Sequence, residues 1–271
     1  MTAPHISPSV LGFFRRIVRG YFRRHFRAVR IAGASRLSGI APGTPLIVYA
    51  NHSSWWDPMV CVLLAHRLLP HRKHFAPMDA AALERYAVLK RVGIFPVEMN
   101  SARGAAQFLR TGLQLLAGDA VLWITPQGRF VDPHERPLVF KPGLAKLAHR
   151  TGPGCVVLPL AIEYTFWDER LPETLLEFGA PVLVGDSSPE ELALQLAQAL
   201  EGAQNSLKGK AMERNPLQFD LLADGTAGAG GWYGVGKRLF SRLSRRPYQP
   251  DHTAHPVVLR AVAPVSRQDV L

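Results

Sequence analysis

The segment Asn51-His52-Ser53-Ser54-Trp55-Trp56-Asp57-Pro58 sets an imidazole and a carboxylate five positions apart, near enough for a loop to fold them into contact. Such a pair does base chemistry. The acid fixes the tautomer of the ring and stabilises the imidazolium that forms when the ring takes a proton. Asp57 directly before Pro58 also fits a helix N-cap, and spacing alone leaves both readings open.

No side chain nearby has the signature of an activated nucleophile. The two cysteines, Cys61 and Cys155, lie inside apolar runs and read as buried, reduced thiols of a cytosolic chain. Ser53 and Ser54 lack the flanking glycines of a nucleophile elbow. The pair is therefore expected to activate a substrate hydroxyl directly. No Cys/His spacing suits a metal ion, so no metal and no bound cofactor is expected.

Three further segments accompany the pair in order. They are Gly93-Ile94-Phe95-Pro96-Val97-Glu98, Ile124-Thr125-Pro126-Gln127-Gly128-Arg129 and Val157-Leu158-Pro159-Leu160-Ala161-Ile162, with Phe140-Lys141-Pro142-Gly143 between the last two. Together with His52-x-x-x-x-Asp57 they resemble the motifs of the glycerolipid acyltransferases, the family that includes 1-acylglycerol-3-phosphate acyltransferases. The resemblance spans roughly residues 45–165. It implies that His52 deprotonates an acceptor hydroxyl, Asp57 holds the ring, and acyl-CoA or acyl carrier protein supplies the acyl group as co-substrate. The acceptor it implies is a lysophospholipid, 1-acylglycerol-3-phosphate foremost.

Head-group binding is where the match turns uneven. Glu98-Met99 stands where the second motif usually continues into Arg, leaving Arg103 as the nearest cation. Gln127 replaces the usual Glu of the third motif, exchanging an acceptor-only anion for a neutral amide. Arg129 comes one place early and Phe130 occupies the usual Arg position. The resemblance thus offers Arg103, Gln127, Gly128, Arg129 and Lys141 as substrate-binding residues. The departures also keep open another lipid acceptor, such as a head-group lysophospholipid, a glycolipid or a carotenoid glycoside.

The elements that must position these residues alternate. Leu46–Ala50 reads as a buried strand running into the His52 loop, and Met59–Leu69 as a helix beginning at Asp57-Pro58. A helix at Asp79–Arg91, a strand at Gly93–Val97, a helix at Ala102–Leu116 and a strand at Ala120–Ile124 follow. Next come a helix at Lys141–His149, a strand at Cys155–Ile162, weaker strands at Leu175–Phe178 and Pro181–Val184, and a helix at Pro189–Lys208. This predicts an α/β fold, a central mostly parallel or mixed sheet covered by helices. Polar clusters at Asn51–Asp57, Val97–Arg103 and Thr125–Arg129 then fall beyond strand C-termini, where such folds gather ligands. Trp55, Trp56 and the helix after them read either as one wall of an acyl-chain groove or as plain core.

The formal charge of +11 resides at the ends of the chain. Residues 1–31 hold seven arginines and no acid, 232–250 hold five basic residues and no acid, and the body between is nearly neutral. A continuous basic groove for nucleic acid is therefore not expected. Leu11–Ile31 places Phe14, Ile17, Val18, Tyr21, Phe22, Phe26 and Val29 at helical spacing among arginines, an amphipathic helix suited to an anionic lipid surface or to packing on the domain. No apolar run approaches a spanning length of about 20 residues, so contact with the cytoplasmic face of a membrane would be peripheral. Three regions are expected: a membrane-surface helix over 1–31, an acyltransferase domain over 32–215, and a Gly-rich linker, short basic helix and loose tail over 216–271. A non-catalytic membrane anchor is the rival reading, but an anchor has no use for His52 and Asp57 at a strand end.

Overall fold

The computed structural model describes residues 4–225. The expected Trp232–Arg245 helix, the tail from Pro247 and most of the Gly-rich stretch Ala223–Gly236 lie outside them. Among the described residues the fold is a mixed α/β layer structure built on a nine-stranded sheet.

Its centre is β2 (Leu46–Ala50), whose five residues are all buried. Because successive strand side chains point to opposite faces, Leu46, Val48 and Ala50 enter one apolar layer and Ile47 and Tyr49 the other. Parallel neighbours flank it: β5 (Ala120–Ile124) on one side and β6 (Val156–Thr165) on the other. Beyond β5 come β3 (Lys73–Asp79) and β4 (Ile94–Val97), also parallel. The loops after β2, β3, β4 and β5 therefore leave one edge of the sheet. Past β6 the sense reverses, with β7 (Glu173–Phe178) antiparallel to β6, β1 (Ala28–Ala32) parallel to β7, and β9 (Asp220–Asp224) antiparallel to β1. The short β8 (Val182–Leu183) pairs with the start of β6.

Helices α1 (Pro8–His25) and α2 (Asp57–Leu68) cover one face, contributing Val18, Phe22, Val60 and Leu64 to its core. The other face is covered by α4 (Ala102–Leu116), α5 (Gly143–Thr151) and α6 (Pro189–Glu213), through Leu109, Leu147 and Leu196. The short α3 (Ala80–Arg85) follows β3 directly. Helix starts follow local chemistry. Ser101 caps α4 by accepting from the Gly104 N–H, and Ser188 and Glu191 close a reciprocal capping box at α6.

Three expectations need correction. The helix expected to run to Ile31 stops at His25, and Ala28–Ala32 is a buried strand, because its residues are enclosed on both faces. Arg30 is consequently not on a lipid-facing helix. It is buried, paired with Glu173 at 3.0 Å and placed over the Trp167 ring, while Arg27 pairs with Asp224. The helix expected over Asp79–Arg91 is shorter, since Lys73–Asp79 forms β3 and α3 ends at Arg85. The segment expected as linker after residue 215 contains β9, which joins the sheet beside β1.

Candidate active site

The loop leaving β2 is fixed by its own side chains. Asn51 is buried and bonds the backbone of Ile162 in both senses, Nδ2 donating to its carbonyl at 2.9 Å and Oδ1 accepting from its N–H at 2.8 Å. That stitches the loop to β6. His52 is then clamped from the loop after β5: its N–H donates to Gln127 Oε1 at 2.9 Å, and its carbonyl accepts from Val131 N–H at 2.8 Å.

His52 Nδ1 lies 2.8 Å from Asp57 Oδ2. The same carboxylate oxygen accepts the N–H groups of Ser53 (2.9 Å) and Ser54 (3.0 Å), while Oδ1 accepts the phenol of Tyr164 at 2.7 Å. Asp57 is only 1% exposed and sits in the first turn of α2, where the helix dipole favours a negative charge. A buried carboxylate is tolerated only when its oxygens are satisfied, and these four donors satisfy them. With the anion accepting from Nδ1–H, Nε2 carries the free lone pair, and no described residue occupies it. The arrangement leaves Nε2 free to accept a proton. Burial and the adjacent Asp57 charge push the Tyr164 phenol far up, so it stays a donor.

The described thiols do not offer a competing nucleophile. Burial and the Asp57 charge push Cys61 well above its ordinary value, and burial pushes Cys155 up to about 12. Ser54 Oγ accepts the Trp56 N–H at 3.2 Å. No group of three or more His, Cys, Asp or Glu among the described residues is placed to hold a metal ion.

The strand-end loops converge, though not as the motifs alone suggest. Gly128 adopts a left-handed conformation (φ 67°), and a Cβ there would meet Lys141 Cε at 2.7 Å. The lysine stem lies across that glycine and its Nζ donates to Asn100 Oδ1 at 3.1 Å, which draws the loop after β4 into the site. Gln127, Arg129 and Lys141 line one cavity of about 230 Å³, together with Val131, Glu135 and Phe140. Arg129 is exposed and ion-paired with Glu135 at 3.1 Å. Gln127 is buried, and its oxygen accepts from the His52 N–H, so it holds the His52 backbone as well as facing the cavity. Arg103 is exposed in the first turn of α4 and does not line this cavity.

Two site residues were not legible in the motifs. Tyr164 lies at the end of β6, more than a hundred positions from Asp57, and no spacing links the two. Phe130, which stands where the resembled motif has Arg, packs its ring 4.5 Å from the His52 imidazole. Trp56 is half-buried against Phe22, Phe26 and Tyr21, whereas Trp55 points outward.

Residues 29–163, from β1 to the second half of β6, match the family model described as Acyltransferase. Among solved structures, the chain resembles the 1-acyl-sn-glycerophosphate (LPA) acyltransferase PlsC of Thermotoga maritima, with a TM-score of 0.52 and 16% identity over 76% of this chain and 79% of that one. At that identity the likeness speaks to the fold. No curated protein matches the sequence.

Proposed function

This chain belongs to the acyltransferase family, and from that premise we propose that it moves a fatty acyl group from acyl-CoA or acyl carrier protein to the hydroxyl of a lysophospholipid, foremost 1-acylglycerol-3-phosphate. The observation carrying the reading is the His52–Asp57 pair, with Nδ1 bound to the carboxylate and Nε2 open. In the reaction Nε2 takes the acceptor's hydroxyl proton as that oxygen attacks the thioester carbonyl. The C–O bond forms, the C–S bond breaks, and the leaving thiolate recovers the proton from the imidazolium. No covalent acyl-enzyme is needed, because a thioester is already activated and the base supplies about 10² to 10⁴ fold once both substrates are positioned.

The cavity lined by Arg129 and Lys141 supports an anionic head group, with the guanidinium fork and the ammonium as its donors. Such acceptors reside in bilayers, and the protein works at the cytoplasmic face of one as a peripheral enzyme. No described helix is long and apolar enough to cross a membrane.

A second acceptor class is favoured by one observation. Arg129 pairs with Glu135 at 3.1 Å, which lowers the net positive charge that the cavity presents to a head group. A lysophospholipid with a larger head group, a glycolipid or a carotenoid glycoside fits that balance.

The test incubates the protein and its His52→Ala variant with labelled acyl-CoA, or acyl carrier protein thioester, and a panel of lysolipids, reading products by mass spectrometry. Acylated lysophosphatidate from the unmutated chain alone supports the first acceptor. Product from another acceptor supports the second. Undiminished transfer by His52→Ala would refute the role of the base.

A further inference from the structure

We propose that α1 and the catalytic loop together form a single docking face for an anionic lipid bilayer, and that Trp55 carries the catalytic loop itself into the interface.

Three large apolar side chains of α1 stay in solvent at a spacing of four: Phe13 (62% exposed), Ile17 (37%) and Tyr21 (41%). A helix that buries Val18 and Phe22 against α2 has satisfied its need for a core on that side. A second, outward apolar stripe marks a surface meant for something else. The stripe does not end with the helix. Trp55, 55% exposed, meets Tyr21 edge-to-face with ring centroids 6.5 Å apart and lies against Trp56 at 4.5 Å. Trp55 is three positions from His52, so the apolar surface runs from α1 directly to the loop that holds the base.

Charge selects the occupant. Arg16, Arg19 and Arg24 are exposed on the same helix, and the helix has no acidic residue. A second copy would set these arginines against their own kind. The chain's own segment 232–250 carries five cations and no acid, and would be repelled in the same way. An anionic bilayer has the opposite sign, and Tyr and Trp rings suit its headgroup depth, with an apolar body and a polar tip.

The inference rests on the membrane part of the proposed function and not on acyl transfer. Its test therefore contains no acyl donor: failure of docking and failure of catalysis are read separately. The full chain is floated with vesicles of phosphatidylcholine, with and without phosphatidylglycerol. Trp55→Ala and Arg16→Glu/Arg19→Glu are compared with Leu194→Ser, which alters an exposed leucine on α6, across the sheet.

The expected result is preference for phosphatidylglycerol vesicles, a roughly tenfold weaker partition for Trp55→Ala and for the charge reversal, and no change for Leu194→Ser. Should Trp55→Ala misfold, Trp55→Phe keeps an aromatic ring, and quenching by brominated lipid should fall relative to the unmutated chain. Trp55→Ala binding vesicles as tightly as the unmutated chain, or quenching unaltered in Trp55→Phe, overturns the proposal. So does no preference for anionic vesicles, or a concentration-dependent dimer that Trp55→Ala abolishes, which would assign the face to a second copy.

Discussion

The two oxygens of Asp57 face different partners, and that division separates charge from position in the proposed catalytic pair. Oδ2 faces His52 and the Ser53 and Ser54 N–H groups, and Oδ1 faces only the Tyr164 phenol. Asp57→Asn can keep its amide oxygen toward the loop and turn its NH₂ to Tyr164, whose hydroxyl accepts as readily as it donates. The geometry survives while the charge that stabilises the imidazolium is lost. Turnover should fall by about 10² fold or more, with unfolding little changed, measured as kcat beside a denaturant midpoint. Tyr164→Phe does the reverse, keeping the charge and releasing the Oδ1 side. A hydrogen bond to a charged group is worth about 1.5 to 3 kcal/mol, of which part reaches the transition state, so kcat should drop about tenfold at unchanged KM. If KM for the acceptor rises instead, the tyrosine touches substrate and its role as a positioning residue is wrong. His52 and Asp57 were legible because their motif is contiguous. Tyr164 was not, because its contact with Asp57 exists only once β2 and β6 lie side by side.

At the level of elements, legibility followed burial symmetry. Strands β2, β5 and β6, buried on both faces, appear in the sequence as unbroken apolar runs, and their ends place the site. β3 is not legible in the sequence because Lys73-His74-Phe75-Ala76-Pro77-Met78-Asp79 has no such run; only Phe75 within it is buried. β1 reads in the sequence as part of the helix before it because Arg27 and Arg30 continue the arginine spacing, although both find acidic partners on the sheet. These elements carry buried polar ties that make predictions of their own. His74 on β3 donates through Nε2 to the Leu69 carbonyl at the end of α2, and its Nδ1 accepts the Trp123 indole of β5. Burial lowers it to about 4, outweighing the Leu69 hydrogen bond. A group depressed in the folded state lets the unfolded chain bind more protons between its folded and unfolded values, so stability falls as pH drops from about 6.5 toward 4. The loss attributable to His74 is about 3 kcal/mol at most, seen as a steeper decline of the urea midpoint than in His74→Gln; equal declines would show that the histidine is not responsible. The Arg30–Glu173 pair tests β1. Glu173→Gln leaves a buried guanidinium uncompensated and should cost about 3 to 5 kcal/mol, whereas replacing both by Met and Leu should cost far less.

For the whole molecule, the question is which of its charges act outward. Counted along the chain, seven arginines precede residue 32, but the fold withdraws two of them. Arg30 is buried on β1, and Arg27 pairs with Asp224 of β9. Arg15, Arg16, Arg19 and Arg24 lie on α1, so among the described residues long-range attraction to an anionic surface is concentrated on one helix laid over the face opposite α4, α5 and α6. Two consequences follow for any attempt to separate binding from folding. Deleting residues 1–31 does not remove an appendage: it takes away β1, which stands between β7 and β9, and strips Val18 and Phe22 from the core. That truncation should be insoluble or molten by circular dichroism, and loss of lipid binding in it carries no information about the helix. Charge reversal at Arg15, Arg16 and Arg19 leaves every buried side chain in place, so it should yield a folded chain whose vesicle binding is weak at all ionic strengths. The unmutated chain should start strong and weaken as the Debye length shrinks from about 10 Å at about 0.1 M salt to about 3 Å at about 1 M. What persists in high salt then measures the apolar stripe of Phe13, Ile17, Tyr21 and Trp55 alone. Binding that ignores both salt and charge reversal would mean that the arginines of α1 are a solvated surface, with no part in choosing the membrane.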